Sequence, residues 1–359
     1  MARNVLILGA SYGSLLGTKL AMAGHRVTLV CRDATARLIN SDGTEVRIRM
    51  KGEDEHRAIR SADCVGAIDA RTPQDVDPSE YDLVALAMQE PQFAAPEIRA
   101  LMRRIARAEV PCLSIMNMPP LPYLQRLANL DFGALEPAYT DASIWDLFKP
   151  GLMSLCSPDP QAFRPAGEPN NVLHVGLPTN FKAAEFADPA HTEMLHELSR
   201  DIEDVRLDGR DVPVKLRVHT SLFVPLAKWA MLLAGNYRCL TLGGQRAITE
   251  AVHQEPEVAK STYNFVNAMV TKLGADPADL VAFEKYAAAA KALAKPSSAA
   301  RAVGAGALHI ERVDRLIQLI GEQTGMRHPV ADAIVRVVNA RLVRNEEAAF
   351  VAAGDQAAA

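Results

Sequence analysis

The chain has 359 residues, enough for two domains with separate cores, and its 49% hydrophobic and 23% charged content is that of a globular protein, which excludes predominant disorder. A net charge of −4 offers no basic footprint for nucleic acid or an anionic membrane. Five scattered cysteines (Cys31, Cys64, Cys112, Cys156 and Cys239) without C-x-x-C spacing signal neither a disulfide framework nor a metal site, so reduced cytosol is the expected compartment.

The opening stretch, Val5 to Arg32, reads as strand, glycine-rich turn, helix and second strand. Val5–Leu8 is a short apolar run ended by Gly9, whose backbone freedom suits a tight turn. From Ser14 to Ala23, Leu15, Leu16, Leu20 and Ala23 recur at helical spacing; Gly24 and His25 close the helix and Val27–Val30 starts a strand. This leaves no room for a signal peptide before the first strand. A βαβ opening presents free N–H groups at a helix N-terminus, where a phosphate is favoured. Gly9, Ser11, Tyr12 and Gly13 are therefore the candidate phosphate-binding turn. The loop GASYGSLLG departs from G-x-G-x-x-G, with Ser11 at the second glycine's place and Gly13 one position early, and an ordinary strand-to-helix turn is the alternative. At the end of the second strand an arginine suits a 2′-phosphate and an acid suits a 2′-hydroxyl. Arg32 favours NADP, while Asp33 next to it keeps NAD open.

Asp33–Lys51 mixes turn residues with the alternating Val46, Ile48 and Met50 and predicts a hairpin or edge strand. Tyr81–Met88 predicts a buried strand, Ala95–Ala108 a helix on Ile98, Leu101, Met102 and Ile105, and Pro111–Met116 another strand. The alternation predicts an α/β fold with an N-terminal Rossmann-type doubly wound sheet, ligand lying at the carboxyl ends of its strands. Gln89 and Asn117 stand at such ends. Prolines from Pro119 to Pro169 predict an irregular insertion over residues 118–169. Val172–Leu177 reads as a strand, His191–Ile202 as a helix and Val205–Leu207 as a last strand. From Arg217 the pattern is helical almost to the end, with a frayed tail after Glu347. The expected division is 1–214 for the cofactor, 215–350 for an all-helical catalytic domain that leaves homodimerisation open, and 351–359 as a flexible tail. The longest apolar stretch, Leu222–Gly235, is too short to span a bilayer and contains Lys228.

Lys228 sits in VPLAKWAMLLAGN among Leu226, Trp229, Met231, Leu232 and Leu233. Burial there lowers an ammonium pKa and makes a general acid; a lysine that snorkels to the surface is the other reading. Asn236, eight positions on, falls on the same side or caps the helix with Gly235. Ser297 or Ser298, after Pro296, is a natural N-cap. On the helix that follows, His309 shares a face with Val313, Leu316 and Ile320, directed to core or cleft, whereas Glu311 pairs with Arg315 toward solvent. A structural core histidine is the plainer alternative.

Together these pieces resemble the ketopantoate reductase family of NADPH-dependent 2-oxo acid reductases, from Val5 to about Val335. They comprise the opening unit with AGHRVTLVCR, Asn117 after a strand, Lys228 with Asn236, the PSS of Pro296–Ser298, and the Gly325 and Pro329 rhythm. The resemblance implies that Lys228 protonates the developing alkoxide and Asn117 holds the nicotinamide end or the substrate. It also implies that Asn236 with Ser297 or Ser298 orients a small carbonyl substrate. Departures from the family are the shortened turn, Gln89 in place of a cofactor-side lysine, Leu232 in place of a substrate asparagine, and a longer segment between Asn117 and Lys228. The family's acidic residue falls on His309 without a gap or on Glu311 with one. These departures concern substrate recognition and point away from ketopantoate itself. Two other readings are an opine-type dehydrogenase, whose His and Asp dyad finds no matching motif, and a non-catalytic NADP-binding sensor.

Overall fold

In a computed structural model, residues 1–127 and 130–358 are described. Ala128 and Asn129, within the expected proline-rich insertion, and Ala359, at the end of the expected tail, lie outside them. The chain divides into two compact units: Met1–Arg126 with Ser143–Pro225, and Leu127–Ala142 with Leu226–Ala359.

The first unit opens as predicted, with β1 (Asn4–Leu8), α1 (Tyr12–Met22) and β2 (Arg26–Val30). The next stretch departs from prediction in its first half, where Asp33–Asp42 forms a helix, α2, while the alternating Val46 and Ile48 lie on a strand, β3 (Glu45–Arg49), as expected. Only Ala36 and Ile39 of α2 are buried, so its apolar stripe is too thin to stand out in sequence. There follow β4 (His56–Arg60), β5 (Ala67–Arg71), β6 (Leu83–Leu86), α3 (Pro96–Ala108), β7 (Cys112–Ile115) and the single turn α4 (Leu121–Leu124). α3 buries Ile98, Leu101, Met102 and Ile105, the four residues its periodicity selects.

The proline-rich stretch is irregular only in part. After short 3₁₀ turns it supplies β8 (Met153–Ser157) and β9 (Gln161–Phe163). Then come β10 (Val172–Leu177), β11 (Phe181–Ala184), α5 (Pro189–Glu203), the two-residue hairpin strands β12 (Arg206–Leu207) and β13 (Arg210–Asp211), and β14 (Leu216–His219). Eight strands form the main sheet in the order β14-β11-β8-β7-β6-β1-β2-β5, parallel except for the β8–β11 pair. The order reverses direction between β1 and β6, which follow different connections from a common centre, and such a switch point opens a crevice at the carboxyl ends. A second sheet, β4-β3-β10-β9, claims the strand predicted at Val172. Because β14 pairs with β11, the first unit extends past the boundary expected near residue 214.

The second unit is mostly helical: α6 (Lys228–Met231), α7 (Ile248–His253), α8 (Pro256–Lys272), α9 (Phe283–Ala290), α10 (Ser298–Gly304), α11 (Val313–Gln323) and α12 (Pro329–Ala358). It is not all-helical as expected: β15 (Leu240–Thr241) and β16 (Gly244–Gln245) make a small hairpin. α12 continues through the alanine-rich stretch read from sequence as a tail. Among the described residues no helix is long and apolar enough to cross a membrane.

Candidate functional site

In the first unit the candidate residues gather at the carboxyl ends of adjacent parallel strands. Gly9 follows β1 with φ +106°, and a Cβ there would lie 2.7 Å from the carbonyl oxygen of Ala87 and 2.9 Å from Met88 Cγ. Glycine is therefore required for two reasons, the left-handed turn and the close pass beside the end of β6. Gly13, in the first turn of α1, packs so tightly on β1 that a Cβ would stand 2.7 Å from Ile7 Cγ2. It does the helix-to-strand packing that the last glycine of a dinucleotide fingerprint does. Ser11, at the N-cap position of α1, makes no capping bond with its side chain, while Ser14 Oγ turns back to donate to the Ala10 carbonyl at 2.6 Å. Tyr12 opens the helix. The N-terminus of α1, which has no side-chain cap bond, stands at the crevice.

Arg32 stands at the end of β2 as the residue before α2, exposed, and its side chain has no hydrogen-bond or ion-pair partner among the described residues. Asp33, the residue that leaves NAD open, is engaged by Arg37 one turn on along α2. Gln89 follows β6, exposed, its backbone N–H donating to Gln92 Oε1 at 3.0 Å to open a 3₁₀ turn. Asn117 follows β7 and is half-buried.

In the second unit Lys228 is the first residue of α6, half-buried beside the buried Ala227 and Trp229. The helix does not continue as an α-helix: Leu232–Asn236 is a π turn. Its wider i→i+5 winding carries Asn236 around the axis from the place two α-helical turns would give it. Leu232, one turn after Lys228, is buried and apolar. Ser297 is the N-cap of α10, its Oγ accepting from Ala300 N–H at 3.1 Å and donating to the Asn236 carbonyl at 2.7 Å. Its single O–H is thus spent on the end of the Lys228 helix. Ser298 is exposed at the first helical position.

The expected placement of His309 and Glu311 is reversed. α10 stops at Gly304, Gly306 turns the chain at φ +89°, and residues 305–312 are not helical, so the helical face drawn through His309 does not exist. His309 is exposed, on the wall of a depression of about 370 Å³ lined also by Tyr139, Arg312, Asn339 and Glu346. Glu311 is buried, and its backbone carbonyl accepts from Tyr237 Oη, which in turn accepts from Val313 N–H at 3.1 Å. Burial pushes the Tyr237 phenol well up, keeping it a neutral donor.

Sequence reasoning also missed Arg164. It follows β9 and places Nη2 3.3 Å from the Ala10 carbonyl, inside the glycine-rich turn. Nothing in the proline-rich text around it marks it, because the second sheet brings it there.

These features define a Rossmann-type α/β unit followed in sequence by a largely helical unit. Residues 5–117 match the profile of the family described as ketopantoate reductase PanE/ApbA. The fold resembles 2-dehydropantoate 2-reductase from Methylococcus capsulatus, at 14% identity and a TM-score of 0.68 over 95% of this chain and 97% of that one. It also resembles a PanE/ApbA family ketopantoate reductase from Ralstonia eutropha JMP134, at 15% identity and a TM-score of 0.60 over 96% and 99%. A D-mandelate dehydrogenase solved with NADH and anilino(oxo)acetate is similar at 13% identity and a TM-score of 0.63, over 96% and 99%. No curated protein matches the sequence.

Proposed function

We propose that this protein is an NADPH-dependent reductase of a 2-oxo acid or a related small carbonyl compound, with Lys228 as the general acid. The observation that carries the reading is the turn at Gly9, which only glycine can make against the end of β6 and which leads into a helix N-terminus at the switch point of the sheet. The residues present fit a dinucleotide. The α1 N–H groups and Ser11 would take the pyrophosphate, Arg32 a 2′-phosphate, and Gln89 and Asn117 the nicotinamide side. Engagement of Asp33 by Arg37 leaves Arg32 as the reader at the end of β2 and supports NADP over NAD.

NADPH, when bound, supplies a hydride for the carbonyl carbon. The C=O π bond breaks toward oxygen, and Lys228 Nζ donates the proton that completes the 2-hydroxy acid; its positive charge stabilises the oxyanion as it develops. Asn236 orients the substrate. Ser297 acts one step removed, as a positioning residue that holds the Asn236 backbone, and Ser298 and His309 are left as substrate contacts from the exposed side. Leu232 replaces a polar contact by an apolar one, which favours a substrate with an apolar substituent near the carbonyl over ketopantoate.

A panel of 2-oxo acids run with NADPH and with NADH, each with and without added amino acids, tests the reading. Oxidation of NADPH faster than NADH, independent of amine, is expected. Turnover only with an amine present identifies an opine-type dehydrogenase, and cofactor binding without any oxidation identifies a sensor.

A further inference from the structure

The second sheet of the first unit performs no step in the chemistry above, yet it ends beside the cofactor turn. β9 runs antiparallel to β10, β10 pairs with β3, and β3 follows the helix that Arg32 opens. This closed path returns residue 164 to the glycine-rich turn. There Arg164 Nη2 reaches the Ala10 carbonyl at 3.3 Å and Nη1 reaches Asn170 Oδ1 at 3.4 Å. Neither partner is charged. Among the described residues neither Arg164 nor Arg32 has a carboxylate partner, although most arginines of this unit do: Arg47 holds Glu168, Arg57 holds Glu53 and Arg71 holds Glu80.

We infer that Arg164 and Arg32 form a two-guanidinium clamp for a phosphate monoester at the end of β2, the 2′-phosphate of NADP. The inference rests on the dinucleotide reading of the Gly9 turn. Gly9 N–H donates to the Val30 carbonyl at 3.1 Å, so the turn that Arg164 touches lies against the end of β2, which Arg32 follows. Two unneutralised guanidiniums at one turn repel, and a dianionic phosphate removes the repulsion while offering oxygens for their forked N–H groups. Burial lowers the Arg164 pKa; Cys31 opposes that shift and the Arg32 charge adds to it. Holding the Ala10 carbonyl with one nitrogen fixes the Arg164 side chain beside the turn, so little further side-chain freedom is lost on binding.

Calorimetric titration of the full chain tests this with NADPH, NADH, 2′,5′-ADP and 5′-AMP. In Arg164→Gln, affinity for NADPH and 2′,5′-ADP should fall about 10- to 100-fold, as for loss of a charge-assisted phosphate contact, with NADH and 5′-AMP changed less than about 2-fold. Arg164→Lys should recover part of the loss, keeping the charge but not the fork. Equal losses for the phosphorylated and unphosphorylated ligands, or none, overturn the clamp and leave Arg164 as a support for the Ala10 turn. If the wild-type chain binds neither NADPH nor NADH, the dinucleotide reading itself fails and the clamp with it. Thermal unfolding of Arg164→Gln close to wild type shows that the variant is folded.

Discussion

Lys19 and Lys228 are both carried by helices into apolar surroundings, and they differ in what meets the amine. Lys19 is fully buried in α1, donating to the Val212 carbonyl at 3.0 Å. Burial, with the Lys215 charge adding to it, holds its pKa down to about 7. Between there and the ordinary lysine range the unfolded chain binds one proton more than the folded one, so folding stability rises with pH across that window. Relative to Lys19→Met, the wild type should therefore gain stability from pH 7 to pH 9 by at most about 1.4 kcal/mol per unit, and the difference should be flat below pH 6. Urea unfolding of both proteins checks it; parallel pH curves would contradict the shift. Lys228 is only half-buried, which keeps a path for its proton. At this scale the sequence was an uneven guide. The turn at Gly9 and the strand end before Arg32 were legible because each obeys a local rule, whereas Gly13, which the sequence places one position early, shows its packing on Ile7 only in the fold. His309 and Glu311 were misplaced because a helical wheel was drawn across the Gly304–Gly306 break. Arg164 was invisible, since its role depends on pairing between strands far apart in sequence.

The Lys228 element is held in shape by contacts that its own sequence does not reveal. Gly235 lies in the π turn directly under Tyr286, and a Cβ there would stand 1.8 Å from Tyr286 Oη, the group that donates to the Met231 carbonyl at 3.3 Å. Gly235→Ala should therefore destabilise the fold by about 1–3 kcal/mol through overpacking. Tyr286→Phe removes the clashing oxygen, so the double variant should be more stable than the sum of the two losses predicts, as a double-mutant cycle measures. Additive losses would contradict the contact. Ser297→Ala removes both the α10 cap and the donor to the Asn236 carbonyl, and should lower unfolding free energy by about 1–2 kcal/mol. An unchanged stability with a raised KM would instead make the hydroxyl a substrate contact. Among the elements, β1, α1, β2, α3 and β7 were readable from clear periodicity or short apolar runs. β8, β11 and β14 were not: MSLCS is buried throughout and so lacks alternation, FKAA carries two alanines, and LRVH resembles the start of the helical text after it.

For the whole molecule, alternating strands and helices sufficed to predict a Rossmann-type unit followed by a largely helical one. The division of the chain did not follow, because residues 127–142 join the second unit and β14 stays with the first, both consequences of long-range packing. A ligand that binds only the folded state raises the melting temperature by mass action. NADPH at about 100 times its Kd should add about 2.7 kcal/mol to stability, and NADH at the same concentration distinctly less. Equal shifts would leave the cofactor unassigned between the two and contradict the role given to Arg32. The proposed reduction depends on the proton that Lys228 donates. The most direct measurement is steady-state reduction of the best 2-oxo acid in the panel by wild type and by Lys228→Ala, with NADPH affinity determined for both. A fall in kcat of about 10²- to 10⁴-fold at unchanged NADPH affinity is the expected result, and a variant that turns over as fast as the wild type would contradict the assignment.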